Sequence, residues 1–291
     1  MRGAHEAHVN GGSPVAVMIE PWRAHPLAWI HRGEARAIAD ELRRAGHTVS
    51  EARFSAGAVA DLPPGPLLLR LSDPVMQAAA VALGRAGVSY LGPGAAVMAR
   101  CYDKWVAYSV ATAAGVDCPA TCLASDVAGI SFPLVVKPRW GSDSLGMRLV
   151  RSGPIPSGAR SAGFVAQERI VGAELTIAVI SDCVGMPLRL DLPPGTLYTF
   201  ARKYLLRPQR APLADEALVE QVRRLAAEIA SVFAIDWAAR IDLIHERATG
   251  RLRFLECDVA SLVGPASAFA ASLSAAGIAR GEQLELLLRT H

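Results

Sequence analysis

The sequence lacks the features that mark membrane proteins, secreted proteins and nucleic-acid-binding proteins. No apolar run approaches the length that spans a membrane, because Arg, Asp or Pro interrupts every candidate. The segment Met1–Gly12 contains His, Glu and Gly instead of an apolar core, so we do not expect a signal peptide. The formal net charge is only +3 and the arginines are scattered, so we expect neither a nucleic-acid partner nor a membrane partner.

Cysteine is also scarce, and the few cysteines present have no metal-binding or disulfide pattern. There are 5 of them, an odd number, and none is spaced as a metal-ligand pair. They predict reduced thiols in a cytoplasmic protein. With 291 residues, 52% hydrophobic and 20% charged, the chain is long enough for two or three packed subdomains. The cysteines are Cys101, Cys118, Cys122, Cys183 and Cys257.

The first third of the chain alternates strands and helices, which predicts a small parallel sheet with helices on both faces. We expect a disordered tail at residues 1–13 and an N-terminal α/β domain at residues 14–94. Arg70 lies where a strand of this sheet ends, which is where such sheets bind ligands. It therefore contacts an anionic substrate or forms a structural salt bridge. The predicted elements are strands at Val15–Ile19, Thr48–Phe54, Leu67–Leu71 and Val88–Leu91, and helices at Gly33–Ala45 and Pro74–Ala86.

A predicted strand–loop–strand unit follows a helix that runs from about Cys101 to Ala114. The first strand ends on Lys137, and the loop Gly141–Gly146 is rich in small residues. Such a loop can close its backbone N–H groups over phosphate oxygens, while a lysine supplies a point charge. The loop has no Gly-Lys-Ser/Thr and no helix after it, so it is not a Walker A loop. An ordinary flexible hairpin is the alternative.

A second predicted strand–turn–strand unit carries Gln167 and Glu174. This unit could present backbone groups to the edge of an adenine and a carboxylate to ribose hydroxyls. By themselves, both residues are equally typical of a polar surface.

The stretch from Arg240 to Asp258 predicts an antiparallel hairpin with a turn around Gly250. Such a hairpin brings Asp242 opposite Glu256 and Asp258. Residues two apart in a strand point the same way, so the carboxylates would share one patch. Ligands that offer only oxygen suit a hard ion, either Mg²⁺ or Mn²⁺. A hairpin whose charges merely face water is the alternative.

Taken in order, these motifs resemble the ATP-grasp ligases, especially D-alanine–D-alanine ligases and the glutamate-type and aminoadipate-type ligases. The resemblance covers the chain from about Leu67 to its end and implies a mixed α/β and α+β architecture, the ATP-grasp fold. In that fold a small parallel α/β domain precedes two α+β subdomains that hold ATP between them. We expect these subdomains at residues 95–184 and 185–291. The motifs are Asp103-Lys104, Val136-Lys137-Pro138, the loop Gly141–Gly146, Glu168 with Gly172 and Glu174, Arg202-Lys203-Tyr204, Arg240-x-Asp242 and Glu256-x-Asp258.

The resemblance also implies a role for each matching residue, with ATP and Mg²⁺ (or Mn²⁺) as cofactors. The phosphates would be bound by Lys104, Lys137, Lys203 and the lid residues Gly141, Ser142 and Ser144. Adenine and ribose would be bound by Gln167, Glu168, Ile170 and Glu174. The metal ligands would be Asp242, Glu256 and Asp258, the catalytic residues Arg240 and Lys203, and the substrate-binding residues Arg70, Tyr204, Arg240 and Ser267.

The implied reaction joins a small carboxylate to an amine through an acyl phosphate, releasing ADP. The chain departs from D-alanine–D-alanine ligases at Glu20–Pro26, at Asp258 where they have Asn, and in the stretch after Asp258. We therefore predict a specialised ligase for an amino acid or related metabolite. Alternatives are intramolecular cyclisation, phosphoryl transfer to another acceptor, and a non-catalytic ATP-binding relative. A homodimer through the helix at Asp215–Phe233 or the one at Gly281–Arg289 is left open.

Overall fold

The structure is a computed structural model that describes residues 14–19, 28–55, 62–63, 65–193, 195–206 and 208–289. Three β-sheets and the helices packed on them occupy these ranges. The predicted tail at residues 1–13 and the divergent segment at residues 20–26 lie outside them. None of the described helices is both long enough and apolar enough to cross a membrane.

The N-terminal part contains β1 (Pro14–Ile19), α1 (Ala28–Arg44), β2 (Thr48–Arg53), β3 (Leu67–Arg70) and α2 (Asp73–Arg85). The strands form a parallel sheet in the order β2-β1-β3, as the alternation of strands and helices predicted. Both faces of β1 are covered, because Ala16 and Met18 enter one core cluster while Val15 and Val17 enter another. Burial on both faces explains why β1 is a continuous apolar run.

Two details of this part differ from the prediction. Helix α1 begins at Ala28 instead of Gly33, because Ala28 and His31 are already buried against the rest of the fold. The predicted strand Val88–Leu91 is reduced to a single bridge between Leu91 and Leu68.

The central part contains α3 (Ala95–Tyr102), α4 (Lys104–Ala113), β4 (Thr121–Leu123), β5 (Leu134–Pro138), β6 (Arg148–Val150) and β7 (Phe164–Glu168). The strands form an antiparallel sheet in the order β4-β7-β5-β6. The single predicted helix is two helices, because Asp103 has an extended backbone and caps α4 by accepting hydrogen bonds from the N–H groups of Trp105 and Val106.

The C-terminal part contains β8 (Gly172–Ile180), β9 (Cys183–Val184), β10 (Leu188–Leu190), β11 (Arg210–Pro212), α5 (Glu216–Val232), β12 (Ala238–Glu246), β13 (Leu252–Asp258), α6 (Ala268–Ala275) and α7 (Arg280–Leu287). Its sheet has the order β11-β10-β8-β12-β13, with β9 paired to β8. The predicted boundary after residue 184 divides this sheet. Since β8 pairs along its whole length with β12, the C-terminal sheet begins at Gly172.

One large hydrophobic cluster joins the N-terminal sheet, helices α3 and α4, and the C-terminal sheet, with Met18, Met98, Ile177 and Phe233 among its buried members. The central sheet has a small cluster of its own, which includes Leu134, Val136 and Ala166. The core of the central sheet is thus separate from the large cluster. The sheet is attached to the rest of the protein mainly by α3, α4 and the chain that leads into β8. The cleft between it and the C-terminal sheet contains the candidate site.

Candidate active site

The cleft contains two adjoining cavities, which we call the inner and the outer cavity. The inner cavity has a volume of about 120 Å³ and the outer cavity about 580 Å³. Both are lined by Ser142, Glu174, Tyr198, Lys203 and Asp242, so they are continuous. All of the residues predicted to bind the nucleotide line the inner cavity: Lys104, Lys137, Gly141, Ser142, Ser144, Gln167, Glu168, Ile170, Glu174 and Lys203.

Three lysines from separate elements reach the inner cavity. Lys104 is the first residue of α4, Lys137 lies on β5, and Lys203 lies on a π-helical turn at Arg202–Leu206. Burial lowers the pKa of Lys137 to about 8, with Lys104 and Lys203 adding to the effect while Glu256 and Glu174 oppose it. Positive charge is therefore concentrated in a small enclosed space, which is the environment that phosphate groups require.

The loop Gly141–Gly146 closes one side of this space. Its backbone is left-handed at Asp143 (φ 60°) and Ser144 (φ 58°) as well as at both terminal glycines. Left-handed backbone in a loop of small residues is typical of anion-binding loops, in which successive N–H groups line one concave side. The Lys104 ammonium donates a hydrogen bond to the carbonyl of Gly141, which ties the start of α4 to the loop.

The base of the loop is fixed by Asp103. Its carboxylate accepts hydrogen bonds from Arg139 Nε at 2.7 and 2.9 Å while also capping α4. Burial acts to raise the pKa of Asp103, but the Arg139 guanidinium and the N–H groups of Val106 and Trp105 outweigh it and hold the pKa below its usual value. One aspartate thus aligns both Lys104 and the loop.

Gln167 has a contact that the sequence did not predict. Its Oε1 accepts a hydrogen bond from Lys137 Nζ at 3.0 Å, and its Nε2 donates to Thr121 Oγ1 at 3.0 Å. Glu168 accepts a hydrogen bond from the N–H of Ala120 at 3.3 Å. Gln167 therefore positions Lys137 in this structure, and its predicted contact with adenine stays a prediction.

Glu174 is an acidic group in an unfavourable environment. Burial, reinforced by Asp242 and Glu256, raises its pKa to about 7 although Lys203 and Lys137 act in the opposite direction. It lies where the two cavities meet. A buried carboxylate of this kind is typical of functional sites and can accept hydrogen bonds from hydroxyl groups.

The acidic hairpin forms as predicted. Asp242 is paired with Glu256 and Arg240 with Asp258, and a β-bulge follows Asp242. The bulge shifts the register between these two pairs and the rest of the hairpin, and such bulges are common near active sites. Arg240 thus lies among the acidic residues.

Arg240 holds the carboxylates in a network of short contacts. It donates to Asp242 at 3.0 Å, lies 3.1 Å from Asp258 and 4.0 Å from Glu256, and donates to Ser261 Oγ at 3.0 Å. Thr176 Oγ1 donates at 2.6 Å to Asp242 Oδ1, the oxygen that also accepts from Arg240 Nε. The guanidinium is therefore held rigidly at the end of the outer cavity that adjoins the inner one.

The pKa values of two acids in this network move in opposite directions. Burial acts to raise the pKa of Glu256, but Lys203, Lys104, Lys137 and Arg240 together lower it to about 2. Burial raises the pKa of Asp258 to about 7, against the lowering effect of Arg240 and with Asp73, Glu256 and Asp242 adding to the rise. Negative charge is thus in excess at Asp258, and a cation bound nearby would relieve it.

The three predicted metal ligands offer only carboxylate oxygens, which fit Mg²⁺ or Mn²⁺. Within the described ranges, however, no three acidic, histidine or cysteine side chains already converge as a metal site. Arg240 lies between them instead. The residue types and the excess negative charge fit a divalent ion, and the ligand set stays a prediction.

Two further predicted substrate residues line the outer cavity beside Arg240. Tyr204 donates a hydrogen bond to Asp143, and the pKa of Tyr204 is strongly raised, first by burial and then by that carboxylate. Ser267 also lines the cavity, with its hydroxyl capping α6 by accepting from the N–H of Ala270 at 3.0 Å. The Tyr204–Asp143 bond links the loop over the inner cavity to the wall of the outer one.

The prediction that Arg70 contacts substrate is wrong, and the salt-bridge alternative is correct. The Arg70 side chain is 0% exposed, forms an ion pair with Glu34 at 3.0 Å and donates to the carbonyl of Ser261 at 2.7 Å. Glu34 in turn accepts from the N–H groups of Val263 and Gly264 at 2.6 and 2.7 Å. Every strong contact of Arg70 is structural, and it supports the outer cavity from behind.

Several residues of the site were not predicted. Asp143 lies inside the recognised loop but was not singled out, and Thr176 could have been found because it follows Glu174 on the same face of β8. Tyr198 lies 5.4 Å from Lys203 in a cation–π contact. His31 and Arg210 also line the outer cavity, and no local sequence pattern marks either of them.

The sequence pattern of the ATP-grasp domain family matches residues 101–237 of this chain. The D-alanine–D-alanine ligase A of Bradyrhizobium diazoefficiens is 27% identical over 231 residues, which cover 70% of this chain and 62% of that protein. A D-alanine–D-alanine ligase of Stutzerimonas stutzeri is 31% identical over 189 residues, covering 59% of each. The chain thus spans just under two thirds of the length of the curated relatives it matches.

Solved structures of D-alanine–D-alanine ligases and a related ligase have the same fold as this chain. The D-alanine–D-alanine ligase from Bacillus anthracis, determined with ATP, superposes with a TM-score of 0.78 at 16% identity, covering 96% of each chain. VanG, a D-Ala:D-Ser ligase from Enterococcus faecalis, superposes with a TM-score of 0.79 at 14% identity, covering 96% of this chain and 98% of that one. The ATP-grasp fold and the resemblance to ATP-grasp ligases are therefore confirmed, and ATP and Mg²⁺ are the cofactors that go with such a domain.

Proposed function

We propose that this ATP-grasp protein is a ligase that activates a small carboxylate with ATP and joins it to an amine, releasing ADP and phosphate. The observation that carries the proposal is the composition of the cleft. Lys104, Lys137 and Lys203 surround an inner cavity that opens, past Arg240, into a larger outer cavity. One cavity suits a nucleotide phosphate chain and the other suits the molecules that react with it.

The residues of the inner cavity would bind ATP in a fixed direction. Lys104 and Lys137 would contact the α- and β-phosphates under the loop Gly141–Gly146, and Lys203 would contact the γ-phosphate. Glu174 would accept hydrogen bonds from the ribose. Because Glu174 and Lys203 line both cavities, the terminal phosphate would face the outer cavity. Asp242, Glu256 and Asp258 would hold Mg²⁺ or Mn²⁺, which when bound would neutralise phosphate charge.

The reaction needs two displacements. In the first, an oxygen of the substrate carboxylate attacks the γ-phosphorus and ADP leaves. In the second, the amine nitrogen attacks the acyl carbon, phosphate leaves with the bonding pair, and the nitrogen loses a proton. Lys203 and Arg240 provide positive charge where two anions must approach, and Arg240 is positioned to stabilise the oxyanion of the second step.

The acyl phosphate must be protected from water. The hydrogen bond from Tyr204 to Asp143 holds the loop Gly141–Gly146 against the wall of the outer cavity. A closed loop excludes water from the reacting atoms, so that the amine, and not water, consumes the intermediate.

We place the enzyme in specialised metabolism of amino acids or related compounds instead of cell-wall dipeptide synthesis. Asp258 is the position at which the sequence departs from the metal-site pattern that the resemblance implies, and its carboxylate adds a negative charge to the acidic hairpin. The outer cavity, at about 580 Å³, is also large for two alanines. Free thiols at all five cysteines support a reducing, cytoplasmic location. A homodimer stays a prediction.

The test is ADP release with Mg²⁺ and ATP against pools of amino acids, each with and without hydroxylamine. Hydroxylamine converts an acyl phosphate into a hydroxamate, whose mass identifies the acid. We expect ADP release that depends on one pool and a hydroxamate from the same pool. ADP release without any hydroxamate or amide product would contradict the ligase and favour phosphoryl transfer. Tight ATP binding without ADP release in any pool would favour a non-catalytic relative.

A further inference from the structure

His31 is a buried polar side chain without a hydrogen-bond partner. It lies on α1, is 5% exposed, and lines the outer cavity. Neither Nδ1 nor Nε2 has a partner among the described residues. A buried polar group that stays unpaired costs stability, so native proteins satisfy it with a ligand or water. The ring can donate a hydrogen bond from at least one of its nitrogens.

Arg210 lines the same cavity from a different element. It is the first residue of β11, its side chain is partly buried, and its Nε has no hydrogen-bond partner within the described ranges. No carboxylate of the described residues forms an ion pair with it. Arg210 is paired in register with Leu190 of β10, which also lines the cavity, so both side chains lie on the face of the sheet that the cavity occupies.

The acidic residues of the outer cavity do not balance this charge. Asp73, Asp143 and Asp258 also line a third cavity of about 40 Å³ that contains Lys104 and Glu256, so they lie towards the inner end. Glu34 is occupied by Arg70 and by two backbone N–H groups. Arg240 is neutralised by Asp242 and Asp258. Among the described residues that line only the outer cavity, Arg210 is therefore the cation without an acidic partner.

We propose that the outer cavity binds a substrate with an anionic group in addition to the carboxylate that reacts, and that Arg210 and His31 recognise this group. The inference rests on the proposed ligase function and adds a substrate class to it. A carboxylate is the anion that fits best, because a guanidinium binds it through charge-assisted hydrogen bonds, and His31 lines the same cavity with a ring that can donate a hydrogen bond to the substrate. Amino acids with acidic side chains are the simplest such substrates.

The experiment compares matched acidic and neutral substrates in ADP release. Aspartate is paired with asparagine and glutamate with glutamine, in both enantiomers, and O-phosphoserine is paired with serine to distinguish a phosphate ester from a carboxylate. Each is given alone and with the pool of other amino acids. We expect the preferred acid to have a KM at least about tenfold below that of its neutral partner, as the loss of one charge-assisted contact implies.

The variants Arg210→Gln and His31→Asn test the recognition. We expect Arg210→Gln to raise KM for the acid by about ten- to a hundredfold with little change in kcat, and to leave KM for the neutral partner unchanged. His31→Asn should have a smaller effect of the same kind, and Arg210→Lys should restore part of the affinity. The control is Arg189→Gln, because Arg189 is exposed and its register partner Ala211 places it on the other face of the sheet.

A preference of the wild type for the neutral partners, or an unchanged KM in Arg210→Gln, would overturn the inference while leaving the ligase intact. Absence of ADP release in every pool would overturn the ligase proposal. In that case the thermal midpoint still tests the cavity. Aspartate or glutamate at millimolar concentration should raise it in the wild type and in Arg189→Gln but not in Arg210→Gln, and equal shifts in all three, or no shift in any, would overturn the inference. A preference for phosphoserine would support the anionic site and assign it to a phosphate ester.

Discussion

The inner and outer cavities of the cleft are built in different ways. In the inner cavity, positive and negative charges lie close together, and Lys104, Lys137 and Lys203 lower the pKa of Glu256 to about 2. In the outer cavity, Arg210 and His31 have polar atoms without partners within the described ranges. The difference indicates that the inner cavity is prepared for one kind of ligand, whereas the outer cavity is completed by its substrate. On the proposed function, chemistry and specificity are located in different parts of one cleft.

The largest effect should come from breaking the support of the outer cavity. Arg70→Met leaves the carboxylate of Glu34 buried without its cation, which typically costs about 3 to 5 kcal/mol of unfolding free energy. Urea denaturation measures the loss. The control Arg43→Met breaks an exposed pair with Asp40 and should cost less than about 0.5 kcal/mol. Equal losses in the two variants would mean that Arg70 is not the structural residue described here.

A change in the inner cavity should instead remove activity while the protein still folds. Glu256→Gln eliminates a carboxylate that faces the three lysines, and we expect kcat to fall on the order of a thousandfold. Circular dichroism should still show the folded protein, and the thermal midpoint should fall moderately, because the lowered pKa of Glu256 means that its charge stabilises the fold at neutral pH. Glu220→Gln on the exposed face of α5 is the control. A Glu256→Gln enzyme with full activity and unchanged metal dependence would contradict the assignment of Glu256 as a metal ligand.

Glu174, at the junction of the two cavities, should make stability depend on pH. Its pKa is about 7 in the folded protein, above the usual value of 4.5, so its stabilising contribution is complete below about pH 4.5 and is lost as the pH rises through 7. Glu174→Gln removes this loss and should gain roughly 3 kcal/mol relative to the wild type between those limits. Unfolding free energies at pH 4.5 and pH 8 measure it, with the exposed Glu228→Gln as control. A difference that does not change with pH would contradict the shifted pKa.

The smallest effect should come from the link between the cavities. Tyr204→Phe removes the hydrogen bond to Asp143, and the loop should open more often. We expect the ratio of ADP to ligated product to rise by about two- to tenfold because water reaches the intermediate. Tyr90→Phe, which removes a hydrogen bond to the carbonyl of Pro93 outside both cavities, is the control. An unchanged ratio of ADP to ligated product would mean that the hydrogen bond from Tyr204 to Asp143 does not hold the loop closed.

The difference between the inner and outer cavities also explains which site residues could be predicted from the sequence. Residues of the inner cavity lie in short motifs, and the pairing of Asp242 with Glu256 follows from a single hairpin, so local pattern was sufficient. Arg70 was misjudged because its partners, Glu34 and Ser261, are distant in sequence and only the folded chain brings them together.

The residues of the outer cavity were even harder to predict from the sequence. His31 and Arg210 come from α1 and β11, and neither belongs to a motif. The membership of β8 in the C-terminal sheet was equally hidden, since strand pairing with β12 depends on contacts across more than fifty residues. Residues proposed to bind ATP are therefore easier to predict than residues proposed to select the substrate.

The most direct test of the account follows an oxygen atom from substrate to phosphate. The enzyme is given ATP, Mg²⁺ and the amino-acid pool that supports ADP release, with oxygen-18 in the carboxyl groups of the pool, and the phosphate is analysed by mass spectrometry. An acyl phosphate requires one labelled oxygen in each phosphate released. Phosphate without label, formed together with ADP, would show that no carboxylate is activated and would contradict the proposed reaction.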